Sequence, residues 1–276
     1  SVRKEEEKVL IHFKDQSVYA IPYDTPVIGY GGTKINTLRL WEAEPENKFN
    51  FRLFNEQKYE ESFKEENEAK KITCVLYPND DTDEGKKLRL KQQYFFTSAS
   101  LQDVIKRYKK VYGDDFSHFS KEYAIQLNDT HPVVGIPEFI RILIEEEGIT
   151  FAKAFKIAKE VFAYTNHTVM SEALEKWNVS LFQSVIPNVY EYVVMLQEAL
   201  VKELNNLGVK EEDQKKYYII DDNIIYMARL AIFASHSTNG VARIHTEILK
   251  NDALHEWYEI YPERFNNKTN GITQRR

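Results

Sequence analysis

Two short polar segments hold the residue types that do chemistry in this 276-residue chain. Asn128-Asp129-Thr130-His131-Pro132 offers a carboxylate and an imidazole, and Thr165-Asn166-His167-Thr168 offers a second imidazole. Histidine exchanges protons near neutral pH, and imidazole with carboxylate is also a metal-ligand set. An acidic segment with Asp80, Asp81, Asp83 and Glu84 is a third candidate. Plainer readings stand beside these. His131, His167 and Asp129 match no metal spacing such as His-Glu-x-x-His, and the acidic segment lacks the central Gly and terminal Glu of a calcium loop. No Gly-x-Gly-x-x-Gly, Walker loop or Gly-x-Ser-x-Gly occurs.

The elements around the two segments give them a common place. Tyr123 to Leu127 is a short apolar run, followed by helical spacing over Val133 to Ile144 and Thr150 to Lys159 and by a second run, Val161 to Tyr164. Strand, helices, strand reads as a βαβ unit with a parallel sheet. In such sheets ligands bind outside the carboxyl ends of the strands, where both segments fall. Pro137 either kinks its helix or belongs to a first turn that begins later.

Upstream, Val9 to Ala20 reads as paired strands, Pro22 to Gly32 as an irregular loop, Asn36 to Trp41 as a strand, and Phe54 to Lys71 and Leu88 to Val111 as helices. Cys74 lies in the apolar run Ile72 to Tyr77, where a buried, inert thiol is expected. Downstream, helices are expected at about 171–177, 180–206, 223–235, 240–250 and 252–260. His245 then sits on a helix whose apolar face is Val241, Ile244 and Ile248, and His236, Asn239 and Gly240 fall at a break between helices. No linker composition appears, so one continuous folding unit is expected.

With 42% apolar and 29% charged residues the composition is that of a globular domain, neither disordered nor collagen-like. No window of 18 uncharged apolar residues spans a membrane. The net charge of -6 opposes nucleic acid as the main partner, because neutralising phosphates needs a Lys/Arg surplus. A single cysteine cannot form an internal disulfide, which points to a reducing, cytoplasmic compartment. The chain opens on Ser1 and stops at Arg275-Arg276, and neither end reads as a natural terminus. From the residues alone, the reading is an α/β fragment with a polar cleft suited to a small polar ligand such as a sugar.

Several ordered blocks resemble the α-glucan phosphorylases: Pro22 to Pro26 with Asn36 to Trp41, Leu76 to Asp80, Glu84 to Gln92, Leu127 to Pro132, Tyr164 to Thr168, Glu172 to Trp177, Asn239 to His245 and Asn267 to Gly271. The resemblance implies a Rossmann-like parallel sheet with flanking helices, part of the amino-terminal half of a two-domain glycosyltransferase fold of the GT-B type. Residues 1–276 would be a partial amino-terminal domain ending near the junction with a carboxyl-terminal cofactor domain. It implies phosphorolysis of α-1,4-glucan by inorganic phosphate to glucose 1-phosphate with retention, pyridoxal phosphate serving as acid/base through its phosphate group, in a cytoplasmic homodimer. That chemistry needs no pair of carboxylates about 5 Å apart, as a retaining glycosidase does.

Residue by residue, His167 resembles the histidine whose ring meets the sugar 6-hydroxyl while its main-chain carbonyl faces the developing positive charge. Asn270 resembles the second partner of that hydroxyl, Val241 lines the same pocket, and Asp81 stands where animal enzymes place an asparagine at the 2-hydroxyl. Asp80 resembles the acidic residue of a mobile loop guarding the site. Tyr77, Arg89, Asp129, His131 and Glu172 match positions of the glucan channel. Ser171 and Gln274 replace prolines usual in the family, and Thr82 replaces an aromatic residue. No cofactor-binding or metal-binding residue is expected within the chain, since the cofactor lysine would lie beyond Arg276, and the chain alone is expected to have neither bound cofactor nor turnover. The competing readings are a non-catalytic α-glucan-binding module and a metal-dependent hydrolase built on Asp129, His131 and His167.

Overall fold

The computed structural model describes residues 1–273, the side chain of Ser171 excepted, so Gln274, Arg275 and Arg276 lie outside the described residues. Where one folding unit was expected, the chain divides into two compact units: Ser1–Arg107 with Ser184–Ile186, and Tyr108–Gln183 with the chain from Pro187 onward. No linker composition marks the first boundary because it falls inside a continuous helix, Asp83–Tyr112.

The first unit is built on a sheet of β1 (Val2–Arg3), β2 (Val9–His12), β3 (Ser17–Ile28) and β4 (Ile35–Pro45), all pairs antiparallel. The stretch from Pro22 to Gly32, expected as a loop, instead continues β3 as far as Ile28. Proline donates no ladder hydrogen bond, so it survives in a strand only where none is required. On one side β3 pairs with β4 along its whole length; on the other, β2 covers residues 17–20 and β1 covers 23–24. Pro22 falls in the gap between them and Pro26 beyond both.

Arg39 of β4 ties this sheet together. Its guanidinium forms a two-pronged bond with Asp24 of β3, both contacts at 2.7 Å, and reaches Asp103 at 2.9 Å and Glu7 at 2.7 Å. Hydrogen bonding to Arg39 holds the carboxyls of Asp24 and Glu7 below the usual carboxylate range. The expected helix over Phe54 to Lys71 is three: α1 (Phe51–Asn55), α2 (Tyr59–Ser62) and α3 (Lys64–Cys74). A left-handed Gln57, φ 61°, interrupts the first two. Cys74 ends α3 and is exposed, because Ile72 buries the inner face of that last turn while Val75, Leu76 and Tyr77 leave the helix into solvent. The long α4 (Asp83–Tyr112) buries Leu90, Phe95, Leu101 and Ile105.

The second unit contains the parallel sheet that the βαβ pattern predicts. After α5 (Phe119–Glu122) come β5 (Ile125–Asn128), α6 (Gly135–Glu145), α7 (Phe151–Val161) and β6 (Phe162–Thr165). Pro137 is the third residue of α6, inside the first turn, where its missing N–H costs nothing. Gly148 leaves the helix at φ 68°. The face of α6 is buried through Ile136, Phe139, Ile140 and Leu143, and Phe139 meets Phe162 of β6 edge to face at 5.5 Å.

Beyond β6 the helical expectation is only partly met. Residues 171–177 form one 3-10 turn and then β7 (Lys176–Asn178), followed by α8 (Val179–Val185), α9 (Pro187–Asn206) and α10 (Glu211–Gln214). Two further strands, β8 (Ile220–Asp221) and β9 (Ile224–Tyr226), join β7 in a small antiparallel sheet before α11 (Met227–Phe233). The supposed break between helices at 236–240 is β10 (Ser237–Gly240), an inner strand of the parallel sheet, followed by α12 (Arg243–Ile248), α13 (His255–Ile260) and β11 (Phe265–Asn267). The strand order is β11-β10-β6-β5, with all three pairings parallel. Among the described residues no helix is long and apolar enough to cross a membrane.

Gly85 generates a direct test in the first unit. A Cβ there would stand 2.0 Å from the carbonyl oxygen of Asn79, so the loop entering α4 must move to admit one. Gly85→Ala is expected to destabilise the protein by about 1–3 kcal/mol, read as a lowered Tm. Gly271→Ala, with no atom within 4 Å of the new methyl, is the control expected to leave Tm nearly unchanged.

Candidate functional site

In the second unit one register row crosses the carboxyl edge of the parallel sheet. Asn128 of β5 is paired with Thr165 of β6, Thr165 with Asn239 of β10, and Asn239 with Asn266 of β11. Paired residues in a parallel sheet point to the same face, so the row is a strip of polar side chains that must satisfy one another. One pair within the row does so, Thr165 Oγ1 donating to Asn239 Oδ1 at 2.8 Å; the other bonds go to neighbours, with Gln126 Nε2 donating to Thr165 Oγ1 at 2.8 Å and Asn266 Nδ2 to Ser237 Oγ at 2.8 Å.

Just past this row the chain turns into the two predicted loops. The Asn166 N–H donates to the carbonyl of Asn239 at 2.9 Å, and the Asp129 N–H donates to the carbonyl of Thr165 at 2.9 Å. Asp129 takes a left-handed conformation, φ 65°, which Asp tolerates better than most residues, and its Oδ1 accepts the Thr130 N–H at 2.7 Å. Asn166 is fully buried and donates to the Tyr164 hydroxyl at 2.9 Å, which leaves His167 as the exposed residue of its loop. The His167 ring meets Asn128 Oδ1 through Nε2 at 2.6 Å. An amide oxygen only accepts, so Nε2 is the donor in this contact.

The ends of β10 and β11 are joined in the same way. Gly240 is required by a close approach: a Cβ there would lie 2.5 Å from Thr246 Oγ1 and 3.0 Å from the Thr246 backbone. The Lys268 N–H donates to the carbonyl of Gly240 at 3.0 Å, and the Asn270 N–H donates to the carbonyl of Val241 at 3.1 Å. The Val241 N–H donates to His245 Nδ1 at 3.0 Å. Asp129, His131, His167, Val241 and Asn270 therefore all follow carboxyl ends of neighbouring strands. Glu172 belongs to the 3-10 turn Ser171–Ala173 and lines a half-open cleft of about 620 Å³ with Tyr226, Arg229 and Trp257.

The remaining candidates belong to the first unit. Tyr77 is exposed and left-handed, φ 54°, which for a bulky residue is a strained backbone. Asn79 folds the acidic loop on itself, accepting the Asp81 N–H at 3.0 Å and donating to Asp81 Oδ2 at 2.9 Å. Arg89 donates to Asp80 Oδ2 at 2.8 Å, so the predicted channel cation is already engaged with the predicted gate carboxylate. Thr82 Oγ1 accepts the Gly85 N–H and secures the start of α4.

Two residues that matter to this geometry escaped the sequence reading. Asn128 reads from the sequence as part of a loop, whereas in the structure it holds the His167 ring. His245 was assigned to a helix with an apolar Ile244 and Ile248 face, yet Ile244 is 75% exposed while His245 and Thr246 are buried. Val241 precedes α12 altogether, so its spacing from His245 is that of a capping turn and not of a helical stripe. A buried polar pair flanked by exposed isoleucines inverts the periodic pattern, and no composition signal reveals it. Among the described residues no group of three or more His, Cys, Asp and Glu is arranged to hold a metal ion.

Comparison with known proteins adds a second line of observation. The sequence model of the carbohydrate phosphorylase family matches residues 1–276. The brain form of glycogen phosphorylase from Rattus norvegicus is 45% identical over 272 residues, 95% of this chain and 32% of that protein. Glycogen phosphorylase 2 of Dictyostelium discoideum is 43% identical over 98% of this chain and 27% of its own length. The liver form from Ovis aries is 44% identical over 95% of this chain. The chain thus spans about a third of the length of these relatives.

Burial is the main force on His245 and pushes its pKa below the ordinary histidine value. His167 acts in the same direction, whereas the facing main chain of Thr168 and the Asp129 carboxylate act against it. A depressed folded pKa means that the unfolded chain binds the proton more readily. The contribution of His245 to stability is therefore complete above the unfolded pKa of about 6.5 and is lost as pH falls through the folded value. Melting curves between pH 7.5 and 5 are expected to show a fall in Tm that is shallower in His245→Asn, which cannot titrate.

Proposed function

Since this chain belongs to the carbohydrate phosphorylases, whose fold is the two-domain GT-B arrangement of which it covers part, we propose that it is a portion of a glycogen phosphorylase. The reaction transfers the terminal glucosyl unit of an α-1,4-glucan to inorganic phosphate. The bond from C1 to the glycosidic oxygen breaks, a bond from C1 to a phosphate oxygen forms on the same face, and the departing oxygen takes a proton. The single observation that carries this reading is the identity of 43–45% to glycogen phosphorylases across nearly the whole chain.

Within the second unit, the His167 ring and Asn270 bond the 6-hydroxyl of the reacting sugar, Val241 lines the pocket beside them, and the His167 main-chain carbonyl faces the positive charge that grows at C1. A fixed dipole there works in the transition state without reorganising, which is what makes it catalytic. The bond from His167 Nε2 to Asn128 supports this role, because it fixes the ring and therefore the direction of the loop. Asp129, His131 and Glu172 line the path of the glucan. In the first unit, Asp81 meets the 2-hydroxyl, as an acceptor only, Tyr77 and Arg89 contact the glucan, and Asp80 belongs to the guarding loop. The whole enzyme is a cytoplasmic homodimer acting on glucan and phosphate, with no nucleic-acid or membrane partner.

Pyridoxal phosphate is the proposed cofactor of the whole enzyme, supplying a phosphate group for acid/base chemistry. A lysine that binds its aldehyde must be deprotonated readily, and among the described residues Lys159 is the lysine whose pKa burial pushes down. Its ammonium group is nevertheless 3.2 Å from Glu203 and packed over the rings of Phe155 and Phe233. That engagement does not fit a cofactor lysine, so no residue of this chain is assigned to the cofactor.

The test compares the full-length polypeptide with this chain alone, each given maltoheptaose and inorganic phosphate. The full-length protein is expected to release glucose 1-phosphate and the chain alone to release none and bind no pyridoxal. His167→Ala in the full-length protein is expected to lower kcat by about 10²-fold or more. Release of free glucose in place of glucose 1-phosphate would mean hydrolysis and would overturn the reading.

A further inference from the structure

The backbone at Val241 depends on a residue outside the proposed sugar contacts. His245 is 7% exposed and stands on α12, whose first turn is fixed from two sides. The single hydroxyl proton of Thr246 is shared between the carbonyl of Ala242 at 2.9 Å and Asn267 Oδ1 at 3.2 Å, while Thr246 presses against Gly240 so closely that no Cβ fits there. The imidazole therefore has a rigid mounting. From it, Nδ1 accepts the Val241 N–H, and the Val241 carbonyl in turn accepts the N–H of Asn270. The ring also faces the main chain of Thr168, the residue next to His167. Its Nε2 is buried and closes no hydrogen bond of its own. An acceptor at Nδ1 requires the neutral tautomer with the proton on Nε2.

We propose that His245 is a positioning residue of the sugar pocket: as a neutral acceptor it fixes the Val241 main chain, and through it Asn270, relative to the loop that carries His167. The inference rests on the reading of Val241 and Asn270 as partners of the reacting sugar, and it adds the group that sets their place. His245 touches no sugar itself. Its effect belongs to the end of the sugar that bears the 6-hydroxyl, because Asn270 and His167 are the two partners assigned there. Misplacement of such partners by about 1 Å costs on the order of 10²-fold in rate.

The experiment uses the full-length protein with His245→Asn, His245→Gln and His245→Leu. The asparagine oxygen can take the place of Nδ1, the glutamine oxygen reaches the place of Nε2, and leucine accepts nothing. Hydrogen exchange at the Val241 amide is expected to rise about tenfold or more in the Gln and Leu variants and to stay near wild type in Asn. In the direction of glucan synthesis, kcat/KM for glucose 1-phosphate is expected to fall about tenfold or more in Gln and Leu, with a clearly smaller fall for 6-deoxyglucose 1-phosphate. Equal losses on the two sugars, or Val241 exchange unchanged in the Gln variant, would overturn the proposal. If the leucine variant fails to fold, the Gln and Asn pair decides alone. A wild-type protein that makes no glucose 1-phosphate would refute the phosphorylase reading, while Val241 exchange would still decide whether the ring holds this backbone.

Discussion

The second unit depends on the register of four parallel strands at their carboxyl edge. A strand has a side-chain period of two, so a slip of one residue would turn Thr165 and Asn239 to the opposite face and leave Gln126 without either partner. Asn239 is the buried member of this row, and its side chain left without a partner would cost about 1–3 kcal/mol. This requirement fixes the place of β10. Its sequence, Ser-Thr-Asn-Gly, has no apolar side chain to pull it into a core, yet Thr238 and Asn239 are buried inside the sheet. The main chain of Asn239 then serves the next layer by accepting the Asn166 N–H, so that one strand sets both the sheet and the loop that leaves it.

Around that frame, unusual backbone and close packing occur at or beside some residues with proposed roles, as they also do at Gln57, Asp222 and Asn223. Asp129 and Tyr77 are left-handed, Gly240 lies against Thr246 and Gly85 lies against Asn79. The left-handed conformations are unfavourable locally, by amounts of order 1–3 kcal/mol, and persist only where neighbours over-determine them. At Asp129 those neighbours are the Thr165 carbonyl, which accepts its N–H, and the Thr130 N–H, which its side chain accepts. Beside Tyr77 in the first unit, Gln92 Nε2 donates to the carbonyl of Val75 at 2.6 Å.

The parallel sheet was legible where apolar residues made it so. Ile125 to Leu127 and Phe162 to Tyr164 show a strand's composition, and the helices between them carry a clear period. β10 was not legible, because a strand held by hydrogen bonds among Thr165, Asn239 and Gln126 carries no hydrophobic signal. β3 was obscured for the opposite reason: Pro22 and Pro26 announce a loop, and they are acceptable in a strand only because Pro22 falls in the gap between β1 and β2 and Pro26 lies beyond both. Residues at the strand ends were found as types and spacings, whereas Asn128 acts through a partner far away in sequence and His245 through a capping turn that a helical reading of its segment conceals. The contact between His167 and Asn128 spans 39 residues and is invisible to any local pattern.

On the proposed reading, phosphorolysis explains why this edge contains so few engaged carboxylates. A reaction that works through paired acids displays them as side chains, and such pairs can be sought in a sequence. A reaction that places a main-chain carbonyl against developing charge hides its key group in every residue alike. What selects one carbonyl from the rest is direction, and direction is set by whatever bonds the adjacent backbone and side chains. Asn128 bonds the His167 ring, Asn239 takes the N–H of Asn166, and His245 takes the N–H of Val241. These amides and this imidazole need not touch the substrate to control it. The chemical identity of such a site resides as much in the groups that hold the backbone as in those that meet the sugar.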